Sequence, residues 1–229
     1  MNRSKLYIAA PLLGLAAMAL RRGMYTLYTD VQGLLIPGNP LALLLPAVTL
    51  LAMVLLSLAR EPELQAAPRL SAYSNWILAL GLLLPQQRAA CVAPLLWGIF
   101  QLTRYLSCAA LVILGFFRAR GKKDSLCLNA LVCIGFIARL VASYQVWSRM
   151  PQMQNYVFSL LAALLLAAFA YQQAAKEVSL GSPLWRLRFG LWGTFACLGA
   201  SVGATDQPFY LFAALWLMGC TLFDSRKAE

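Results

Sequence analysis

The chain has no histidine, and only 8 of its 229 residues are Asp or Glu, against 19 Lys and Arg. Without histidine there is no serine–histidine or cysteine–histidine pair to activate a nucleophile, and no HExxH zinc motif. The acids are Asp30, Glu61, Glu63, Asp124, Glu177, Asp206, Asp224 and Glu229. None falls inside an apolar run. That excludes a paired-aspartate protease and an intramembrane carboxylate that couples transport to protons or sodium. The six cysteines form no CxxC pair, so neither a zinc ribbon nor a thioredoxin-type dithiol is expected. They lie in or beside apolar runs, where a free thiol behaves as a small hydrophobe. These absences point to a protein that is not an enzyme and carries no cofactor and no metal.

Long polar stretches are also missing. The chain is 61% hydrophobic and 12% charged, with a mean hydropathy of +0.70. A soluble domain carries roughly 25% charged residues. Apolar runs recur throughout at the length a helix needs to cross a bilayer. The expected fold is all-α, a polytopic membrane helix bundle, with residues 1–229 as one integral-membrane domain. Eight spans are expected, at about 6–28, 41–59, 70–84, 91–117, 126–147, 154–175, 184–204 and 208–223. Pro94 sits in the first turn of the fourth, where proline is tolerated, and Pro85 ends the third. The start of the chain imitates a signal peptide, with Ala17-Met18-Ala19 as a cleavage-like triplet. Arg21 and Arg22 follow at once, and the segment is read as an uncleaved first span.

The net charge of +11 is explained by topology. With eight spans, Arg3, Lys5, Arg60, Arg69, Arg118, Arg120, Lys122, Lys123, Lys176, Arg186, Arg188, Arg226 and Lys227 collect on one side. Arg21, Arg22, Arg88 and Arg149 collect on the other. This asymmetry places both termini in the cytoplasm, with the protein in the plasma (inner) membrane. No basic patch with interleaved aromatics occurs outside the runs, so no nucleic-acid partner is expected. The expected surroundings are the lipid bilayer. The turn RARGKKD at 118–124 is the strongest cytoplasmic mark and could also hold anionic lipid headgroups.

An offset of 119 residues hints at a 4+4 parallel repeat. It carries the second span onto the sixth, the third onto the seventh, Tyr25 onto Tyr144, Tyr28 onto Trp147 and Arg69 onto Arg188. Four helices per half would relate the halves by an axis along the membrane normal.

The candidate site comes from arginines inside the apolar runs. Arg104 and Arg139 each lie 13 residues from the cytoplasmic end of a span, roughly 20 Å in. Arg21 and Arg22 reach a similar height. Trp97, Gln101, Arg104 and Cys108 form one helical stripe, and Asn129, Arg139, Ser143 and Trp147 another. The short turn between the fourth and fifth spans makes them antiparallel neighbours, so the two stripes are expected to face each other. An arginine cannot shed its proton, so it needs carbonyls, water or an anion. One expectation is a permease-like or solute-binding protein. Its outward-facing basic cavity would be lined by Arg104, Arg139, Gln101, Tyr105, Ser143, Tyr144, Arg21 and Arg22, and would take an anionic small molecule or a lipid headgroup. The alternative is a non-catalytic accessory or sensor protein whose arginines serve packing or lipid contact. A transporter needs a polar path to both faces, whereas an accessory protein can have a dry cytoplasmic half.

Overall fold

The computed structural model describes residues 6–30, 35–36, 38–59, 68–85, 92–149, 156–202 and 207–223. Among these lie eight α-helices: α1 (Leu6–Leu27), α2 (Pro40–Ser57), α3 (Pro68–Leu83), α4 (Pro94–Ala119), α5 (Leu126–Trp147), α6 (Val157–Lys176), α7 (Pro183–Ala200) and α8 (Gln207–Phe223). One isolated antiparallel bridge pairs Thr29 with Leu35. Proline opens α2, α4 and α7 at the position where its missing N–H costs nothing. Ahead of two of these starts, Asn39 Oδ1 accepts from the Leu41 amide at 2.8 Å and Ser182 Oγ from the Trp185 amide at 3.5 Å. At the end of α4, Gly121 takes φ of +67°. The Lys122 amide then turns back to the Phe117 carbonyl at 2.9 Å.

Four helices, α2, α4, α5 and α6, are long and apolar enough to cross a membrane. The other four fall short for visible reasons. α3 and α8 have 16 and 17 residues, about 24–26 Å against a hydrocarbon core of about 30 Å. α1 and α7 are diluted by the pairs Arg21–Arg22 and Arg186–Arg188. The side-chain distribution is that of a protein dissolved in lipid. Leu43, Leu50, Leu95, Leu102, Ile134 and Leu164 face outward, while Arg21, Asn75, Arg104, Arg118, Asn129 and Arg139 are buried.

Six helices form a closed ring in the order α3, α4, α5, α6, α7, α8 and back to α3. Outside it, α1 packs on α7, and α2 packs on α1 and α7. Chain direction alternates. The late α4 residue Arg118 meets the early α3 residue Ser71, so these two run antiparallel. Gly14 and Arg21 of α1 meet Leu198 and Gly199 of α7 in matching order, so those two run parallel.

Small residues let the ring close. A Cβ on Gly115 would strike the Trp76 indole across α3–α4. One on Gly135 would strike the Ser107 hydroxyl across α4–α5, and one on Gly190 the Thr221 methyl across α7–α8. Without a hydrophobic force between helices in lipid, such close approach is what holds them together. Gly14 and Gly199 likewise serve internal packing, against Leu198 and Phe158. The middle of the ring is filled by an aromatic layer. Trp216 of α8 lies 5.2 Å edge-on from Phe169 of α6 and 5.7 Å from Phe136 of α5. Its Nε1 donates to Asn75 Oδ1 of α3 at 2.9 Å. Cys108, Cys133, Cys197 and Cys220 are buried free thiols and Cys127 is an exposed one. Cys91 lies outside the described residues.

Candidate functional site

Arg104 closes the end of a neighbouring helix. α3 stops at Leu83, ahead of Pro85, and its last carbonyls have no partner within the helix. The Arg104 guanidinium, from the middle of α4, supplies them: Nε donates to the Leu82 carbonyl and Nη2 to the Leu84 carbonyl at 2.6 Å. Nη1 donates to Gln101 Oε1 at 2.9 Å, and the guanidinium lies 5.4 Å from the Tyr105 ring centroid. Cys108, one turn further on, points its thiol at the Ala79 carbonyl of the same helix. Of the stripe expected on α4, Arg104 and Cys108 reach α3 rather than α5. The side of α4 toward α5 carries Ser107, whose hydroxyl donates to the Leu131 carbonyl at 3.0 Å.

A second cluster gathers where α1, α5, α6, α7 and α8 approach one another. Arg21 of α1 donates Nη1 to the Gly199 carbonyl, near the end of α7, at 2.7 Å, and Nη2 to the Tyr25 hydroxyl at 3.2 Å. Its Cζ lies 5.6 Å from the Tyr25 ring and 5.2 Å from Phe158. Arg139 of α5 sits over Phe209 of α8, Cζ to centroid 3.5 Å, and 5.7 Å from Tyr210. Tyr210 is within electrostatic reach of Arg21 as well, and its hydroxyl donates to the Ser159 carbonyl of α6 at 3.5 Å. Arg21 is 1% exposed and Arg139 2%. Cation–π contacts of this kind strengthen when desolvated.

The expected constellation is therefore distributed. Arg104 has Gln101 and Tyr105 beside it, and Arg21 has Tyr25. Arg139 addresses α8, while Arg104 addresses α3. Tyr105 and Tyr144 are 56% and 60% exposed and present their rings outward. Arg22 is exposed and Ser143 half-buried.

A third polar group was not foreseen as a unit. Arg118, at the end of α4, is buried and forms a bidentate ion pair with Asp124, 2.5 Å from Nη2 to Oδ2 and 3.1 Å from Nε to Oδ1. Its Nη1 reaches Ser71 Oγ at 2.7 Å and Cys220 Sγ at 3.4 Å. Cys220 adjoins Ser74 Oγ at 3.6 Å and Asn75 Oδ1 at 3.9 Å. A polar seam thus runs from the 118–124 turn up α3 and α8 to the aromatic layer at Trp216. In the basic turn Arg118 is turned inward, and Arg120, Lys122 and Lys123 remain on the surface. The clue lay in α3, where Ser71, Ser74 and Asn75 recur at helical spacing in an apolar run. Among the described residues no group of three or more His, Cys, Asp or Glu could hold a metal ion.

No known protein family, no curated protein and no solved structure matches this chain.

Proposed function

We propose that this chain is a non-catalytic integral membrane protein of accessory or sensor type, in which the intramembrane arginines fasten helix ends. The observation that carries the reading is Arg104 on the Leu82 and Leu84 carbonyls. A helix of 16 residues ends inside or at the edge of the hydrocarbon, where an unanswered carbonyl costs several kcal/mol. A buried cation at a helix carboxyl end also meets the negative end of its dipole. Arg21 repeats the device on α7 through Gly199. The expected stability loss of Arg104→Ala is about 1–3 kcal/mol, with a smaller loss for Arg104→Lys, read as thermal unfolding in detergent. An unchanged midpoint for Arg104→Ala would remove the fastening role.

A permease-like reading has one observation in its favour, the Arg118–Asn75 seam. It makes one half of the bundle polar where an accessory protein could be dry. The aromatic layer at Trp216 separates that seam from the Arg21–Arg139 cluster.

The alternating chain directions support eight passes with both termini on one side. The Lys and Arg asymmetry is what argues for that side being the cytoplasm, with the protein in the plasma (inner) membrane. Exposed Tyr73, Tyr171 and Trp185 lie near the helix ends that carry Arg118, Lys176 and Arg186, as interfacial aromatics do. Cysteine labelling is expected to find positions 60–69 and 118–125 on the cytoplasmic side. Labelling of 118–125 from outside would end the eight-span reading. For the 4+4 repeat, the hairpins α1–α2 and α3–α4 correspond to α5–α6 and α7–α8, and α3 and α7 are both closed by an arginine. The likeness stops there, because α1 packs on α7 while α5 packs on α4 and α6.

A further inference from the structure

We propose that Arg21, Arg139, Tyr210 and Ser159 form a binding site for a small oxyanion, the carboxylate or phosphate group of a free solute. The inference rests on the sensor reading above and gives it a ligand.

Arg139 of α5 lies 5.7 Å from the Tyr210 ring, Arg21 of α1 lies 5.2 Å from the ring of Phe158, the neighbour of Ser159, and both guanidiniums are shielded from solvent. The Ser159 hydroxyl is fully buried and has no hydrogen-bond partner among the described residues. It sits on the residue whose carbonyl already accepts from Tyr210. An unused hydroxyl donor in a dry interior calls for an acceptor. An oxyanion offers several lone pairs at once and can accept from guanidinium and serine together, and from the phenol once its proton swings from the Ser159 carbonyl to the anion. α6 begins at Val157 and α8 at Gln207, so two helix amino ends with their positive dipoles lie at the same level. Tyr25, Phe158 and Phe209 wall the cluster with rings, and the low dielectric they impose strengthens each polar contact. The guanidiniums lie between five helices rather than on the lipid-facing surface. A free solute therefore fits better than a headgroup that carries acyl chains. Arg104 stands apart, its donors committed to α3 and Gln101.

The test uses the purified full chain, delipidated in detergent, with sodium acetate and sodium phosphate as probes and sodium chloride at equal ionic strength as reference. The expected result is a saturable rise in unfolding temperature with acetate or phosphate beyond that with chloride. Ser159→Ala and Tyr210→Phe, which remove only a hydroxyl, should each weaken the probe about tenfold, the size of a hydrogen bond to a charged group. Arg22→Gln, on the exposed neighbour, should leave it unchanged. Equal shifts in all three salts, or equal probe affinity in Ser159→Ala, Tyr210→Phe and the unaltered chain, would overturn the site. So would native mass spectrometry that finds a phospholipid protecting the chain while both free anions do nothing, since the ligand would then be a headgroup. Arg104→Ala should weaken the fold without changing probe affinity, so failure here and failure of the helix-fastening role read out separately.

Discussion

Asp124→Ala is expected to destabilise the bundle by about 3–5 kcal/mol, the usual result of stranding a buried charge. Arg118 is 3% exposed and spends Nε and Nη2 on Asp124. With the carboxylate gone, the guanidinium keeps Ser71 and Cys220 among the described residues, and neither of these carries an opposing charge. It would have to stay charged in a nearly dry site or pull the end of α4 off α3 and α8. The double variant Arg118→Met with Asp124→Ala should regain most of the loss, because a hydrophobic replacement of both partners removes the desolvation cost along with the attraction. Thermal unfolding in detergent, followed by tryptophan fluorescence, reads both. A single variant as stable as the unaltered chain would mean that the pair is solvated and contributes little.

Trp216→Ala should cost a similar amount, about 3–5 kcal/mol, as large aromatic truncations in packed cores do. It removes the ring that fills the gap between Phe136 and Phe169 and the 2.9 Å indole donor to Asn75 Oδ1. Trp216→Phe separates these effects. Most of the ring contact remains, and the cost falls to the roughly 1–3 kcal/mol of a buried acceptor left without its donor. Adding Asn75→Leu to Trp216→Phe should then restore stability rather than lower it further. If the pair of changes is worse than Trp216→Phe alone, Asn75 has a role other than partnering the indole.

The helix positions were readable in the chain because lipid imposes a one-dimensional rule. Apolar runs of the right length must be helices, and Pro40, Pro94 and Pro183 mark where they begin. The expected fifth span, 126–147, coincides with α5. The neighbourhood of α4 and α5 followed from their short connection. What the arginines touch was not readable. Depth along a helix follows from counting residues, and it put Arg21, Arg104 and Arg139 at comparable heights. The direction a side chain points around the helix axis depends on which neighbours pack where. The sequence does not reveal that α3 lies on the far side of α4 from α5. Spacing alone puts Trp97, Gln101, Arg104 and Cys108 on one stripe, and of these Arg104 and Cys108 reach α3. The Arg118 pair is not legible in the sequence, because an arginine in a basic turn reads as a topology signal and only the fold brings Asp124 and Ser71 onto it.

The closed ring sets an order on synthesis. Asn75 and Trp216 are 141 residues apart in the chain, and Arg118 and Cys220 are 102 apart. At roughly 5–20 residues per second, α3 and α4 emerge many seconds before α8 exists. During that interval Asn75 and the Arg118 guanidinium lack the side chains that later enclose them. The early hairpin must therefore wait at the insertion machinery or near the headgroups, and α8 is the piece whose arrival commits the bundle to its final burial. A ribosome stalled before residue 207 would leave a product with its most polar surface turned toward the lipid.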